Sequence, residues 1–219
     1  MNLQLALDFL TDLSKHNNKA WMDDNKKRYL EAKSQVIELV SEVIKKSIIF
    51  SPGLSGIDPK KTLFRINRDI RFSKNKDPYK TNFGASIVEG GKKSGNPGFY
   101  LHLMSGNSFV GGGVYQPSSE MLQKVRQEID YNGKDLLAII ENKDFQKIYS
   151  EPYGEDRLKT APKGYPKDHE HIELLQLKHY VFMRNATDKE VTSNDFVNKI
   201  VESFQALHPF NQFLSRALD

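Results

Sequence analysis

The sequence predicts an α+β fold in which an antiparallel sheet of four or five strands is flanked by N-terminal and C-terminal helices. Three observations predict this architecture. Apolar residues recur at helical spacing in residues 1–50, aromatic and β-branched residues alternate with turn residues over 62–115, and helical spacing returns over 118–150. With 219 residues, 38% of them hydrophobic, the chain has enough apolar material for one domain spanning residues 1–219.

Residues 1–50 are predicted to form two or three helices. Leucines at positions 3, 7, 10 and 13 would share one helix face. A second apolar face collects Tyr29, Val36, Leu39, Val40 and Val43. Serine, glycine and proline residues between Ser51 and Pro59 then separate this helical part from the next segment.

Residues 62–115 are predicted to form an antiparallel meander of four strands. The strands would be TLFRINRDIRF, NFGASIVE, GFYLHLM and NSFVGGGVY. Gly111, Gly112 and Gly113 provide no side chain for packing, which indicates a bulge, a sharp bend or a close approach by another group. We therefore expect the sheet to be open or, with their help, strongly curved and barrel-like.

The rest of the chain is predicted to add helices and one strand. Ser118 is a suitable N-cap for a helical segment over 118–150. Over 178–219 we expect a strand, KHYVFMRNA, that could join the edge of the meander, followed by helices. Thr187 and Glu190 have the spacing of a capping box, and the last helix is predicted to end before Pro209.

The absence of cysteine limits the chemistry of the chain. It excludes disulfides, thiolate zinc sites and a cysteine nucleophile, and it is typical of a reducing compartment. We expect a cytoplasmic protein without a membrane segment, because the apolar runs are too short to cross a bilayer.

Positive charge is concentrated in one segment. Residues 60–80 contain eight Lys or Arg and two Asp, a net charge of +6, whereas the whole chain has a net charge of only +4. In an extended strand, Arg68 would lie on the same face as Phe64 and Phe72, so it needs a carboxylate, carbonyls or a ligand anion as a partner. A salt bridge to an acid from a packing helix is one such partner.

The basic segment predicts an anion-binding site if it folds back as a hairpin. Guanidinium groups bind phosphate or carboxylate in a bidentate manner, and lysines add point charges. The predicted ligand-binding residues are Arg65, Arg68, Arg71, Lys74, Lys76, Tyr79 and Lys80, with Arg68 as orienting support. The expected partner is a small molecule that bears phosphate or carboxylate, bound with or without catalysis.

Three alternatives remain open at this point. The basic hairpin can be a solvated charged surface, as runs of charge usually are. Its cations, interleaved with Phe72 and Tyr79, also resemble a surface that binds nucleic acid. A third alternative is a structural or protein-interaction domain, which would leave an apolar patch exposed elsewhere.

Other candidate residues give weaker signals. His102, on a strand face with Tyr100 and Met104, is the candidate general acid or base if the protein is an enzyme. The cluster from Asp168 to His171 matches no standard metal-ligand spacing, so no metal site is predicted. The run EGGKKSGNP lacks the spacing of a phosphate loop and is predicted to be a flexible connection between strands.

Several sequence runs together resemble one known family. They are NNKAWMDDNKKRY, LFRINRDIRFSKNKDPYKTNFG, FYLHL, VGGGVYQP, VRQEID and LKTAPKGYPKDH. The chain is similar to the bacterial and fungal family catalogued as domain of unknown function twenty-four sixty-one, although Met22 stands where an aromatic residue is expected. The resemblance implies a single domain across the chain and carries no established activity, cofactor or site residue.

Overall fold

The computed structural model describes residues 2–150, 152 and 157–218. Three helices occupy the N-terminal part: α1 (Gln4–Lys15), α2 (Lys19–Asp24) and α3 (Lys26–Ser47). A short 3-10 helix (Pro52–Leu54) and α4 (Pro59–Thr62) follow. The predicted helical character of residues 1–50 is confirmed, and the buried faces of α1 and α3 contain the predicted leucines and valines.

Four strands form one antiparallel sheet in the order β1-β2-β3-β4. They are β1 (Phe83–Ile87), β2 (Gly98–Leu103), β3 (Ser108–Val114) and β4 (Tyr180–Ala186). The predicted strand KHYVFMRNA is β4, and its partner is β3, with Val110 opposite Arg184. The sheet is open, so the barrel-like alternative does not occur.

The prediction of a first meander strand over residues 62–72 is wrong. Residues 62–72 contain the end of α4 and only two isolated bridges, Leu63 to Ala85 and Asn67 to Tyr79. Beyond Phe64 the chain leaves the edge of the sheet and pairs with residues 78–80. Of the alternating apolar side chains only Ile66 reaches the core, whereas Phe64 is 43% exposed and Phe72 is 95% exposed.

Helices pack on one face of the sheet, where the side chains of Ala85, Leu101 and Val110 are buried. Helix α9 (Phe196–Arg216) packs closely on β3. A Cβ at Gly112 would lie 2.7 Å from Leu207 Cδ2, so this glycine permits the contact between helix and strand. Gly113 adopts a φ of 113°, which favours glycine. In the triple glycine, Gly112 therefore allows Leu207 to approach the strand closely, and Gly113 provides a positive φ that other residues rarely adopt.

The remaining helices complete the layer that covers the sheet. They are α5 (Ser119–Ile140), α6 (Lys143–Ile148), α7 (Ile172–Leu175) and α8 (Asp188–Val191). Ser118 caps α5 and Thr187 caps α8, as predicted. Among the described residues, no helix combines the length and apolar character needed to cross a membrane.

The predicted end of the last helix before Pro209 is wrong. Helix α9 continues through this proline to Arg216. Proline removes one backbone donor and disfavours a helix interior. The helix nevertheless buries Phe204, Phe210 and Phe213 on both sides of Pro209, and tertiary packing of an apolar face supplies most helical stability in proteins.

Candidate functional site

The basic segment folds back on itself, and we call residues 63–80 the basic hairpin. The amide of Lys80 donates to the carbonyl of Ile66 over 2.7 Å, and the amide of Arg68 donates to the carbonyl of Pro78 over 2.9 Å. Asp77 and Pro78 lie on the returning arm. The hairpin thus brings Lys80 close to Arg65, although these residues are 15 positions apart in the sequence.

Asn17 anchors the base of the hairpin. Its side-chain Nδ2 donates to the carbonyl of Tyr79 over 2.9 Å, and its Oδ1 accepts from the amide of Tyr79 over 3.0 Å. The Tyr79 side chain is itself 9% exposed and belongs to the core. The structure therefore places this predicted ligand residue in a supporting position.

Two lysines lie against one aromatic ring at the edge of the sheet, and Arg65 is close enough to Lys80 to lower its pKa. The Nζ atoms of Lys80 and Lys92 lie 5.4 and 5.0 Å from the centre of the Phe64 ring. Lys92 Nζ also donates to the carbonyl of Leu63 over 2.6 Å, while the amide of Phe64 donates to Gly84. We call Phe64, Arg65, Lys80 and Lys92 the Phe64 cluster.

The electrostatics of this cluster are unfavourable for the protein alone. Partial burial lowers the pKa of Lys80, and Arg65 lowers it further. Burial likewise lowers the pKa of Lys92, with an additional contribution from Lys80. Within the described part of the chain, neither lysine nor Arg65 forms an ion pair with a carboxylate. The fold thus concentrates positive charge that an anion would neutralise.

An aromatic surface adjoins the cluster on the sheet face opposite the helices, which we call the open face. His102 and Phe109 stack with ring centres 4.5 Å apart and planes 8° apart. Tyr100 lies 5.8 Å from Phe109 and contacts Phe64 edge-on at 6.2 Å. These rings are only partly buried. The open face can therefore offer apolar contact beside the cations.

His102 is a neutral imidazole at pH 7, because burial lowers its pKa to about 4. Its Nδ1 lies 3.5 Å from Asn82 Nδ2 and 3.4 Å from the Tyr100 hydroxyl. An amide nitrogen only donates, so this arrangement makes Nδ1 an acceptor and leaves the ring proton on Nε2. A neutral imidazole of this kind can donate a hydrogen bond or accept a proton.

The structure does not bring all the predicted ligand residues together. Only Arg65 and Lys80 join the Phe64 cluster. Arg71 forms a bidentate pair with Asp69, at 3.0 and 2.7 Å. Lys76 donates to the carbonyl of Ile70. Lys74 is exposed.

The Arg68 side chain forms hydrogen bonds within the basic hairpin. Its guanidinium donates to the carbonyl of Asp77 over 3.1 Å and to Ser73 Oγ over 3.3 Å. The expected acid from a packing helix is not its partner among the described residues. Carbonyl and hydroxyl oxygens of the hairpin therefore satisfy this guanidinium, which links the two arms of the hairpin.

Lys92 is the member of the cluster that sequence reasoning missed. It lies in EGGKKSGNP, between β1 and β2, in a run predicted to be only a flexible connection. Two adjacent lysines in this glycine-rich run were the available signal. The proximity of Lys92 to Phe64 depends on the pairing of Leu63 with Ala85, which no local pattern indicates.

The histidines near the start of α7 have a structural arrangement. His169 lies with Nε2 2.8 Å from Asp130 Oδ1, and its Nδ1 accepts from the amide of His171 over 3.0 Å. His171 packs against Gly133 of α5. In the part of the chain that the structure describes, no three metal-ligating side chains come together.

Comparison with known proteins places the chain in a family. Residues 5–213 match the family described as "Conserved hypothetical protein (DUF2461)". The chain belongs to this family. No curated protein and no solved structure matches the chain. The DUF2461 match covers the basic hairpin, the run containing Lys92 and the whole sheet, so the Phe64 cluster lies within the family domain.

Proposed function

We propose that this DUF2461 protein binds a small molecule bearing phosphate or carboxylate, and that the anionic group is held by Arg65, Lys80 and Lys92. The observation that carries the proposal is the approach of Lys80 and Lys92 to the Phe64 ring, with Arg65 close to Lys80 and with no ion pair from these three cations to a carboxylate of the described residues. Like charges held together in a protein cost free energy, and such groups are concentrated at functional sites.

The chemistry of the cluster suits an oxyanion. Arg65 supplies a planar fork of donors, and the two lysines supply compact charges. Because their solvation is already reduced, hydrogen bonds from these lysines to an anion would lose less water than those of fully exposed lysines. Lys92 is also oriented in advance by its hydrogen bond to the Leu63 carbonyl.

His102 is the candidate acid or base if the bound molecule reacts. It lies beside Tyr100, whose ring contacts Phe64, so it shares the open face with the anion cluster. Its Nδ1 faces Asn82 and Tyr100, so the protonated Nε2 is the atom that could donate a hydrogen bond to a ligand group held there. The anion site would then orient the ligand, and His102 would act on its other end.

Thermal unfolding with a panel of anions tests this proposal. Phosphate, pyrophosphate, a dicarboxylate and chloride are compared at equal ionic strength. A ligand at about a hundredfold excess over its dissociation constant should add about 2.7 kcal/mol, or roughly 5–10 °C in Tm for a chain of this size.

Three variants make the test specific. Lys80→Gln and Lys92→Gln should abolish the stabilisation, whereas Lys74→Gln, a charge removal in the same hairpin, should retain it. The proposal is wrong if no anion raises Tm more than chloride does. It is equally wrong if Lys74→Gln loses as much of the response as Lys80→Gln.

A further inference from the structure

We infer that the same anion site also binds the phosphate backbone of a single-stranded nucleic acid, which runs from the tip of the basic hairpin across the Phe64 cluster to the aromatic residues of the open face. This inference rests on the proposed anion site and extends its ligands from small molecules to a polymer that carries the same phosphate group. Two independent surface features beyond the cluster point to a polymer.

The first feature is the tip of the basic hairpin. Phe72 is 95% exposed, and the Arg71 guanidinium lies 5.9 Å from the centre of its ring. Apolar side chains this exposed have no role in a core. The exposed ring is suited to stack on an unpaired base, and the Arg71 guanidinium beside it pairs with Asp69 while remaining mostly exposed. Lys74, adjacent in the chain, adds an exposed charge.

The second feature is the aromatic surface of the open face. Three partly exposed rings lie side by side on this face of β2 and β3: the stacked pair of His102 and Phe109, and the neighbouring Tyr100. Antiparallel sheets that bind single strands use such rings as platforms for bases. The rings adjoin the Phe64 cluster through the contact of Phe64 with Tyr100.

The charge distribution favours an extended anion over a compact one. The segment 60–80 has a net charge of +6, and the rest of the chain has a net charge of −2. Without Lys60 and Lys61, the basic hairpin itself has six Lys or Arg and two Asp, a net charge of +4 that extends from Lys80 at its base to Lys74 near its tip. A single phosphate can occupy only the Phe64 cluster, whereas a strand can contact the cluster and the tip together.

Equilibrium binding of a fluorescent oligothymidylate of about 12 nucleotides, measured by anisotropy, tests the inference. About four phosphate contacts to a single strand would give a salt slope near −3, or a loss of about 50-fold in affinity between 50 and 200 mM salt. Phe72→Ala should weaken binding about tenfold, because it removes one stacked base. Tyr131→Ala, which removes another highly exposed ring from α5, should have no effect.

The outcomes separate this inference from the proposed function. If phosphate stabilises the protein through Lys80 and Lys92 but the oligonucleotide binds without dependence on Phe72, the nucleic-acid inference is wrong and the small-anion site stands. Equal affinity for a duplex of the same length also overturns it, since paired bases cannot stack on these rings. If neither phosphate nor the oligonucleotide depends on Lys80 and Lys92, both proposals fail.

Discussion

The side chain of Asn17 pairs with the backbone of Tyr79 through two hydrogen bonds, across 62 residues of sequence. This pair connects the turn after α1 to the returning arm of the basic hairpin. Lys80 follows Tyr79 directly, so its approach to Phe64 depends on this anchor. The position of the anion cluster is thus coupled to the N-terminal helices.

Asn17→Ala should destabilise the protein by about 1–3 kcal/mol, because it leaves a partly buried amide and carbonyl of Tyr79 without their partners. Urea unfolding measures this change. Asn107→Ala is the matched control, since Asn107 is exposed and its side chain makes no hydrogen bond to the described residues. Equal stabilities of the two variants would show that the anchor contributes nothing.

Stability should decrease as pH falls from about 6.5 towards 4. The pKa of His102 is lowered from its ordinary value of 6.5 to about 4 in the folded state, so the unfolded chain binds a proton more readily in this range. The stabilising contribution is complete above pH 6.5 and is lost as pH falls through the window. Its size should be on the order of 1 kcal/mol, reduced from the full linkage value by solvent at the exposed part of the ring.

The difference between the wild-type protein and His102→Gln isolates this contribution from that of the acidic residues. The difference in unfolding free energy should change between pH 7 and pH 4.5. NMR titration of the His102 ring should give a midpoint near 4. A midpoint near 6.5 would contradict the assigned burial of the ring.

Gly112→Ala should destabilise the protein by about 2–3 kcal/mol, because the new methyl group would overlap Leu207 and the carbonyl of Gly98. Gly106→Ala is the control. Its φ of 73° imposes backbone strain of about 1 kcal/mol, but nothing lies within 4 Å of the new methyl group. Thermal unfolding of both variants compares the stability lost through steric overlap at Gly112 with that lost through backbone strain at Gly106. A smaller loss for Gly112→Ala would mean that α9 does not pack closely on β3.

Glu190→Gln should cost about 3 kcal/mol, since it leaves the guanidinium of Arg184 without its carboxylate partner at a site where both side chains are 17% exposed. Arg184 keeps only its bonds to Ser203 Oγ and to backbone carbonyls. The exposed pair of Asp144 and Lys147 provides a comparison, and Asp144→Asn should leave the urea midpoint unchanged. Similar effects of both substitutions would contradict the difference in burial.

Local patterns in the sequence predicted much of the fold. The spacing of apolar residues gave the buried faces of α1 and α3, and β-branched and aromatic residues marked β4. The partner of β4 could not be predicted, because β3 and β4 are separated by more than 60 residues and strand pairing is a long-range property. The alternation in 62–72 was misleading because it describes a hairpin that projects from the sheet.

The candidate site was predictable only in part. The density of charge indicates the basic segment, which contains Arg65 and Lys80, two of the three cations of the proposed site. The pairing of Arg71 with Asp69 depends on side-chain geometry. The position of Lys92 beside Phe64 depends on the long-range bridge between Leu63 and Ala85. A count of charges in the sequence does not show which groups lie next to each cation in the folded protein.

The most direct test of the anion site is a ¹H–¹⁵N NMR titration of the labelled protein with pyrophosphate at constant ionic strength. We expect saturable shifts concentrated at Phe64, Arg65, Lys80 and Lys92, with smaller effects at the tip of the hairpin. These shifts should be absent in Lys80→Gln. Shifts confined to Lys74 and Lys76, or weak linear shifts spread over all exposed lysines, would contradict the assignment of the anion site to the Phe64 cluster.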